Sequence, residues 1–323
     1  MSIIDRPLVT IGITSFNAAE TIELAIQSAL SQNWYPKEIV IVDDSSTDDT
    51  HLVIDKYSQT YDEVRFFYNE INSGVAVTRN RIIEEAKGEF LVFFDDDDES
   101  QPDRIEHQVR RIVEYEKEFA NHSPVICHTA RNVTYTDGNI SYEKTMGCDA
   151  GGCAPNGEAV AKRILLGHYL KDGYGACPTC SQMARVKTYR DIGGFDPNLR
   201  RSEDTEFIIR LSLQGGHFVG INEPLVSQKM TKTSDKNITD EHKNMIYIIE
   251  KHRSFIEEAG EYEFTKNWLE LKSHYLKRDY FYFLLSLMKL ITTHPLKTYK
   301  RIFSALPNFN LNRRFSRFHK LSK

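Results

Sequence analysis

A run of five acidic side chains is the feature of this sequence most able to do chemistry. The acids occupy residues 95–99 and directly follow an apolar run at residues 90–94. Carboxylates packed this closely destabilise one another unless a positive charge neutralises them. A divalent cation of the Mg²⁺ type would do so by joining one or two carboxylates to the phosphate oxygens of a substrate. The alternative is an exposed acidic loop, which is common for runs of like charge.

The residues before the acidic run predict the scaffold that positions it. Apolar runs with the length of buried strands alternate with segments of helical periodicity. The strand-like runs are residues 8–14, 38–42, 64–68 and 90–94. This strand–helix alternation predicts an α/β fold with a parallel sheet and right-handed crossovers.

Three polar side chains then fall at the carboxyl ends of predicted strands, namely Thr14, Asp44 and Asp97. In open α/β sheets this edge is where ligands bind. The chain contains neither GxGxxG nor GxxxxGK[ST], which excludes an ordinary dinucleotide fold and a P-loop NTPase. A bound phosphate would therefore depend on a metal and on isolated cations such as Arg79.

Bulk composition bounds the class of protein. The chain has 323 residues, 40% of them hydrophobic and 27% charged, as in ordinary globular proteins. Its net charge of -5 argues against nucleic-acid binding by electrostatics. The first residues lack the pattern of a signal peptide, and no apolar run has the roughly 18–20 residues of a membrane span. We therefore expect a cytoplasmic protein.

Five cysteines are present, an odd number that is typical of reduced thiols. Two pairs are close in sequence, Cys148 with Cys153 and Cys177 with Cys180. Either pair could contribute to a structural zinc site, and the alternative is ordinary buried or loop thiols. The small residues at 145–157 predict a loop that would be mobile over a site.

The C-terminal region has an uneven charge. From residue 280 to the end there is no Asp or Glu, while nine Lys and Arg side chains are interleaved with aromatic and aliphatic ones. A basic amphipathic tail of this kind is typical of peripheral membrane contact. The alternative is a helical extension whose apolar face packs on the main domain.

Several motifs together resemble the family 2 glycosyltransferases, which have the GT-A nucleotide-sugar fold. The matching segments are VTIGITSFN at 9–17, IVIVDDSSTD at 39–48, NSGVAVTRN at 72–80, the acidic run with Pro102 and Asp103, and GGFD at 193–196 followed by Glu203 and Asp204. Their order and spacing are more specific than any one segment. The resemblance covers residues 8 to about 225.

The resemblance implies a role for each matching residue. Nucleotide binding would involve Thr14, Asn17, Asp44, Arg79 and Asp96, with Asp44 on the uracil or equivalent base and Asp96 on the ribose. Asp97 and Asp95 would belong to the metal site for Mn²⁺ or Mg²⁺. Asp204 would be the general base, with Glu203 beside it. A cationic clamp on the diphosphate, common in relatives, would fall to Lys229 or Lys232.

The implied reaction is sugar transfer from a nucleotide donor, expected to be UDP, to a hydroxyl of a glycan or lipid-linked acceptor in surface polysaccharide synthesis. A metal would stabilise the diphosphate leaving group, and a carboxylate would take the acceptor proton. A single displacement of this kind inverts the anomeric centre.

We also expect three parts of the chain. Residues 1–100 would bind the nucleotide sugar, residues 101–228 would hold the acceptor side and the base, and residues 229–323 would form a helical extension with the basic tail. Two alternatives remain open, a catalytically silent nucleotide-sugar or glycan-binding protein and a nucleotidyltransferase on a related sheet. The latter would want a Gly-rich basic signature, which residues 12–17 lack.

Overall fold

The computed structural model describes residues 6–135, 137–149, 151–175, 177–230 and 238–305. The chain divides into two compact units. The first comprises Met1–Gly157 and Lys171–Met230, and the second comprises Glu158–Leu170 and Thr231–Lys323.

Strands of the first unit form a single sheet in the order β3-β2-β1-β4-β8-β6-β9-β5, with β7 paired to β6. The strands are β1 (Val9–Ser15), β2 (Lys37–Asp43), β3 (Val64–Tyr68), β4 (Phe90–Asp95), β5 (Glu99–Ser100), β6 (Val125–Thr134), β7 (Ile140–Glu143), β8 (Gln182–Arg185) and β9 (His217–Lys229). The first four are mutually parallel, whereas β8 runs antiparallel to both β4 and β6. The predicted α/β fold is confirmed.

Helices connect these strands and continue into the second unit. They are α1 (Ile22–Leu30), α2 (Thr50–Thr60), α3 (Val75–Glu85), α4 (Arg104–Tyr115), α5 (Gly157–Ala161), α6 (Val186–Ile192), α7 (Glu203–Leu213), α8 (Ile238–Lys251), α9 (Arg253–Glu258), α10 (Tyr262–Lys277), α11 (Tyr280–Thr293) and α12 (Pro295–Ala305).

The central strands β2 and β4 are buried on both faces, which explains why their sequences are nearly continuous apolar runs. On β4, Phe94 belongs to a core cluster that includes Ile22 of α1 and Ile105 of α4. Phe93 points to the opposite face, where its ring meets Tyr189 and Phe195 edge-on at 5.4 and 5.8 Å between centroids. The strand that carries the acidic run is therefore held from both sides.

The segment at 145–157 differs from the mobile loop that its small residues predict. Its first part packs on β9, where Gly220 donates a backbone hydrogen bond to the Gly147 carbonyl at 2.7 Å. Met146 and Cys148 are buried there. Gly147 has a φ of +77°, and a Cβ at this position would come within 1.9 Å of the Phe218 carbonyl oxygen. Close backbone approach, which only glycine permits, is the reason for the small residue.

The described part of the second unit is helical, as predicted for the C-terminal extension. Phe264 and Leu271 of α10 pack against Leu290 of α11 in a small apolar core. None of the helices in the described residues combines the length and the apolar character needed to cross a bilayer. The last eighteen residues of the predicted basic tail, 306–323, lie outside the described residues.

Candidate functional site

Strand register brings the predicted site residues to one edge of the sheet. Thr14 near the end of β1 is paired with Asp95 at the end of β4. On the other side, Ser15 is paired with Asp43 of β2, and Asp44 follows immediately. The carboxyl ends of β1, β2 and β4 therefore meet, and the acidic run leaves the sheet at that edge.

Asp44 is buried and organises the turn that begins α3. Its Oδ1 accepts hydrogen bonds from the side-chain amide of Asn69 at 2.8 Å and from the backbone N–H of Ser73 at 2.9 Å. Its Oδ2 accepts from the backbone N–H of Gly74 at 2.7 Å. Gly74 has a φ of +90°, which suits glycine, and α3 begins at the next residue.

Arg79, one turn into α3, joins the acidic run to the beginning of α7. Only 5% of the residue is exposed. One nitrogen, Nη2, lies 3.3 Å from Oδ1 of Asp95, and the other, Nη1, forms an ion pair with Glu203. Burial would lower the pKa of Arg79, but Glu203, Asp95 and Asp204 together raise it. This arginine is thus the charge around which the predicted metal and base residues are gathered.

Glu203 and Asp204 are the first two residues of α7. Burial raises the pKa of Glu203 although Arg79 acts in the opposite direction, and Asp204 raises it further. Asp204 is half-buried, and its Oδ1 accepts the backbone N–H of Thr205 at 2.6 Å. The side-chain hydroxyl of Thr205 also donates to Oδ1, at 3.3 Å.

Asp96 and Asn17 connect the loops that follow the strands. Asp96 Oδ2 accepts the backbone N–H of Phe16 at 3.0 Å. Burial, together with the neighbouring Asp97, raises the pKa of Asp96 to about 8. Asn17 has a φ of 49°, and its Oδ1 accepts the backbone N–H of Thr47 at 2.8 Å. These side chains shape the edge where the nucleotide is predicted to bind.

Asp98 lies deepest in the acidic run. Its Oδ1 accepts the backbone N–H of Lys229 at 3.3 Å, and its Oδ2 is buried. Burial, with Asp95 and Asp97 nearby, raises the pKa of Asp98 to about 8. A hydrogen bond from the Cys180 side chain acts to lower the pKa of Asp98. Ligand atoms of Asp95, Asp98 and Cys180 all lie within 4.8 Å of one another.

The donor set fits a divalent cation. A buried carboxylate beside further carboxylates is stabilised by a cation, and the oxygens of Asp95 and Asp98 are the kind of ligand that Mg²⁺ and Mn²⁺ prefer, whereas the Cys180 thiol is not. Within the ranges that the structure describes, this is the one group of three or more His, Cys, Asp or Glu side chains with such spacing. It includes the predicted ligand Asp95, whereas Asp97, the other predicted ligand, is not in this group. Of the two cysteine pairs considered for zinc, only Cys180 belongs to it.

Two buried arginines that were not predicted from the sequence lie close to the acidic run. Arg104 is fully buried and donates to the Phe93 carbonyl at 3.0 Å and to Ser100 Oγ at 2.8 Å. Burial lowers its pKa to about 10. Arg131 pairs with Glu143 at 2.8 Å, and its positive charge partly opposes the rise in the pKa of Asp98 that burial causes. Neither stands in a recognisable motif, so no local signal in the sequence identifies them.

The predicted cationic clamp is only partly described. Lys229 is the last residue of β9, and its backbone N–H, rather than its exposed side chain, contacts the acidic run through Asp98. Lys232 lies outside the described residues.

Comparison with known proteins gives the family. The model of the family described as Glycosyl transferase family 2 matches residues 10–188, which is more than half of the chain. The chain belongs to this family. All the edge residues described above except Glu203, Asp204 and Lys229 lie within the matched region.

Several relatives of this family 2 chain are known. A putative teichuronic acid biosynthesis glycosyltransferase, TuaG of Bacillus subtilis, is 38% identical over 109 residues, which are 34% of this chain and 43% of TuaG. WfaP of Escherichia coli, a UDP-Glc:alpha-D-GlcNAc-diphosphoundecaprenol beta-1,3-glucosyltransferase, is 38% identical over 36% of this chain and 45% of WfaP. Both matches span less than half of the relative. An uncharacterized glycosyltransferase of Haemophilus influenzae is 28% identical over 83% of this chain and 84% of its own length.

Solved structures with the same fold include TarS of S. aureus, residues 1–349. Its complex with UDP has a TM-score of 0.55 and 17% identity, and the superposition covers 98% of this chain and 92% of TarS. Its complex with UDP-GlcNAc has a TM-score of 0.56 at 15% identity with the same coverage. The expected GT-A fold is confirmed.

Proposed function

We propose that this protein transfers a sugar from a UDP-sugar to a hydroxyl group of a glycan or lipid-linked acceptor in the synthesis of a cell-surface polysaccharide. The observation that carries the proposal is the meeting of the acidic run and α7 at Arg79, at the carboxyl edge of a family 2 sheet. The UDP and UDP-GlcNAc complexes of TarS support the donor class. The similarity to TuaG and WfaP supports a role in the synthesis of a cell-surface polysaccharide.

Different residues of the chain would bind the donor and activate the acceptor. Thr14, Asp44 and Asp96 stand at the edge where the nucleotide would lie. Asp204, on a helix anchored by the Glu203–Arg79 pair, would take the proton from the acceptor hydroxyl as that oxygen attacks the sugar. Attack from the face opposite the diphosphate inverts the anomeric centre, and no covalent nucleophile is needed.

Mn²⁺ or Mg²⁺ would be held by Asp97 and Asp95, as the family resemblance implies, and Asp98 lies close to Asp95. When bound, such an ion acts as a Lewis acid that stabilises the departing diphosphate.

Calorimetric titration with UDP, with Mn²⁺ and then with a chelator, tests this proposal. We expect binding that requires the ion and that weakens at least about tenfold in Asp95→Asn, which removes about 1.4 kcal/mol or more of binding free energy. Asp62→Asn, at an exposed carboxylate in the turn after α2, is the matched control and should bind as the parent does.

Incubation with a panel of nucleotide sugars completes the test, with release of UDP as the readout. Slow hydrolysis of one UDP-sugar, accelerated by its acceptor, is expected. Tight binding with no loss of sugar in the presence of glycan acceptors would instead identify a binding protein. Capture and turnover that are untouched by a chelator would overturn the proposed role of the acidic run.

The proposed setting is the cytoplasmic side of the membrane, where activated sugars and lipid-linked acceptors would both be within reach. Membrane contact through the basic C-terminal region remains a prediction from the sequence. The surface of α11 and α12 allows it to be argued on independent grounds.

A further inference from the structure

Helix α11 carries apolar side chains on two faces. One face, with Phe283, Leu287 and Leu290, packs into the small core against α10. The opposite positions form an exposed stripe at helical spacing. That stripe consists of Phe281, Leu284, Leu285, Met288 and Ile291, which are between 44% and 69% exposed. A helix that is apolar all round is normally buried all round, so the exposed stripe is a surface that something should cover.

Helix α12 also has exposed apolar side chains. Leu296, Tyr299 and Phe303 recur at helical spacing and are 75%, 61% and 55% exposed. The rings of Tyr299 and Phe303 pack on each other with centroids 4.7 Å apart. We call the exposed apolar side chains of the two helices the α11–α12 surface.

The charged side chains on α11 and α12 themselves are all basic. Lys289 on α11 and Lys300 on α12 are exposed, as are Lys277 and Arg278 at the end of α10, and one exposed carboxylate, Asp279, lies between them and α11. From residue 280 to the end of the chain there is no carboxylate side chain. Lys289 bonds only a neutral amide, Asn267, at 3.0 Å, so its charge is not neutralised by that contact.

We infer that the α11–α12 surface seats the protein on an anionic lipid bilayer. Aromatic and aliphatic side chains with interspersed Lys and Arg are the composition of helices that lie in the membrane interface. Each cation near an anionic leaflet contributes about 1 kcal/mol, and a second copy of this chain would bring the same positive charge against it. Charge therefore favours lipid over self-association. The inference does not rest on the proposed transfer reaction.

Sedimentation with vesicles tests the inference in the full chain. We expect at least about tenfold stronger partition into vesicles of phosphatidylcholine with phosphatidylglycerol than into phosphatidylcholine alone. Phe281→Glu/Leu285→Glu places two carboxylates on the exposed stripe and should reduce partition into the mixed vesicles by at least about tenfold. Both substitutions leave the inward face of α11 and the cations of residues 306–323 unchanged.

The matched control is Leu52→Glu, a 57% exposed leucine on α2 of the first unit. It should sediment with vesicles as the parent does. Circular dichroism and UDP titration establish that the α11 variant is folded and that its nucleotide edge is intact. If the proposed transferase function is wrong, the parent protein should fail to bind UDP in the titration. If the membrane inference is wrong, only the sedimentation results should differ from those expected.

Two results would overturn the inference. One is unchanged partition of Phe281→Glu/Leu285→Glu into anionic vesicles, which would assign binding to another part of the chain. The other is that the parent protein does not bind vesicles and instead forms a dimer, and that the same substitutions dissociate this dimer. That result would show that a second copy of the chain covers the surface. Light scattering after size-exclusion chromatography measures the second.

Discussion

Arg79 and Glu203 form a buried ion pair although 124 positions separate them in the chain. The pair connects α3, which follows the Asp44 turn, with α7, which carries Asp204. Arg79 also contacts Asp95, so one guanidinium holds together the elements that carry the predicted nucleotide, metal and base residues. Loss of this arginine should therefore affect both stability and geometry.

Replacing Arg79 with Met should lower the free energy of unfolding by about 3–5 kcal/mol, because it leaves Glu203 buried without a counter-charge. Urea denaturation measures the change. Arg79→Met/Glu203→Gln should recover a substantial part of it. Arg81→Met on the same helix is the control, since Arg81 is exposed and pairs with Glu85 at the surface, where such a pair contributes about 0–1 kcal/mol. An equal loss in the control would contradict the special role of the buried pair.

Asp204→Asn should reduce turnover by about 10²–10⁴-fold, as expected for loss of a general base, while UDP affinity stays nearly intact. Initial rates and UDP titration of the same preparation separate the two effects. Asp191→Asn, an exposed carboxylate on α6, serves as the control. If nucleotide affinity falls as far as turnover does, Asp204 stabilises the beginning of α7 instead.

Stability should depend on pH through His128, which is fully buried on β6. Burial first, and then Arg131 and Arg104, lower its pKa to about 3. Between about pH 6.5 and that value, the unfolded chain takes up a proton here that the folded protein does not, so stability falls as the pH falls. The slope is at most about 1.4 kcal/mol per pH unit.

His128→Gln should remove this contribution, so the stability difference between parent and variant should shrink by roughly 2 kcal/mol from pH 7 to pH 5. Urea denaturation at several pH values measures it. The exposed His51 on α2 provides a control substitution to Gln. A difference that stays constant with pH would show that His128 does not cause the acid sensitivity.

Gly147→Ala should destabilise the protein by about 1–3 kcal/mol or more, because its Cβ would meet the backbone of β9 and its φ is positive. Gly151→Ala is the matched control in the same segment, where a Cβ meets no atom within 4 Å. The control should be neutral or slightly stabilising. Thermal denaturation of the two variants compares them, and equal melting temperatures would refute the close approach.

The strands β1 to β4 could be predicted from the sequence, because apolar runs and local connections determine them. The prediction placed Thr14, Asp44 and Asp97 at one edge, and the strand register pairs Thr14 there with Asp95, two positions earlier in the acidic run. The sequence did not reveal Cys180 beside Asp98. That contact depends on β8 lying antiparallel between β4 and β6, far from either in sequence order. Local periodicity carries no information on such an insertion, and the same holds for the pairing of Arg79 with Glu203.

The three hydrogen bonds that Asp44 accepts limit what it can offer to a ligand. A carboxylate has about four lone-pair positions, and Asn69, Ser73 and Gly74 use three of them. Room is left for a single further donor. Uracil has a ring N–H at the position where cytosine has a nitrogen that can only accept a hydrogen bond. If Asp44 contacts the base, that base should therefore be uracil, and CDP should compete poorly with UDP.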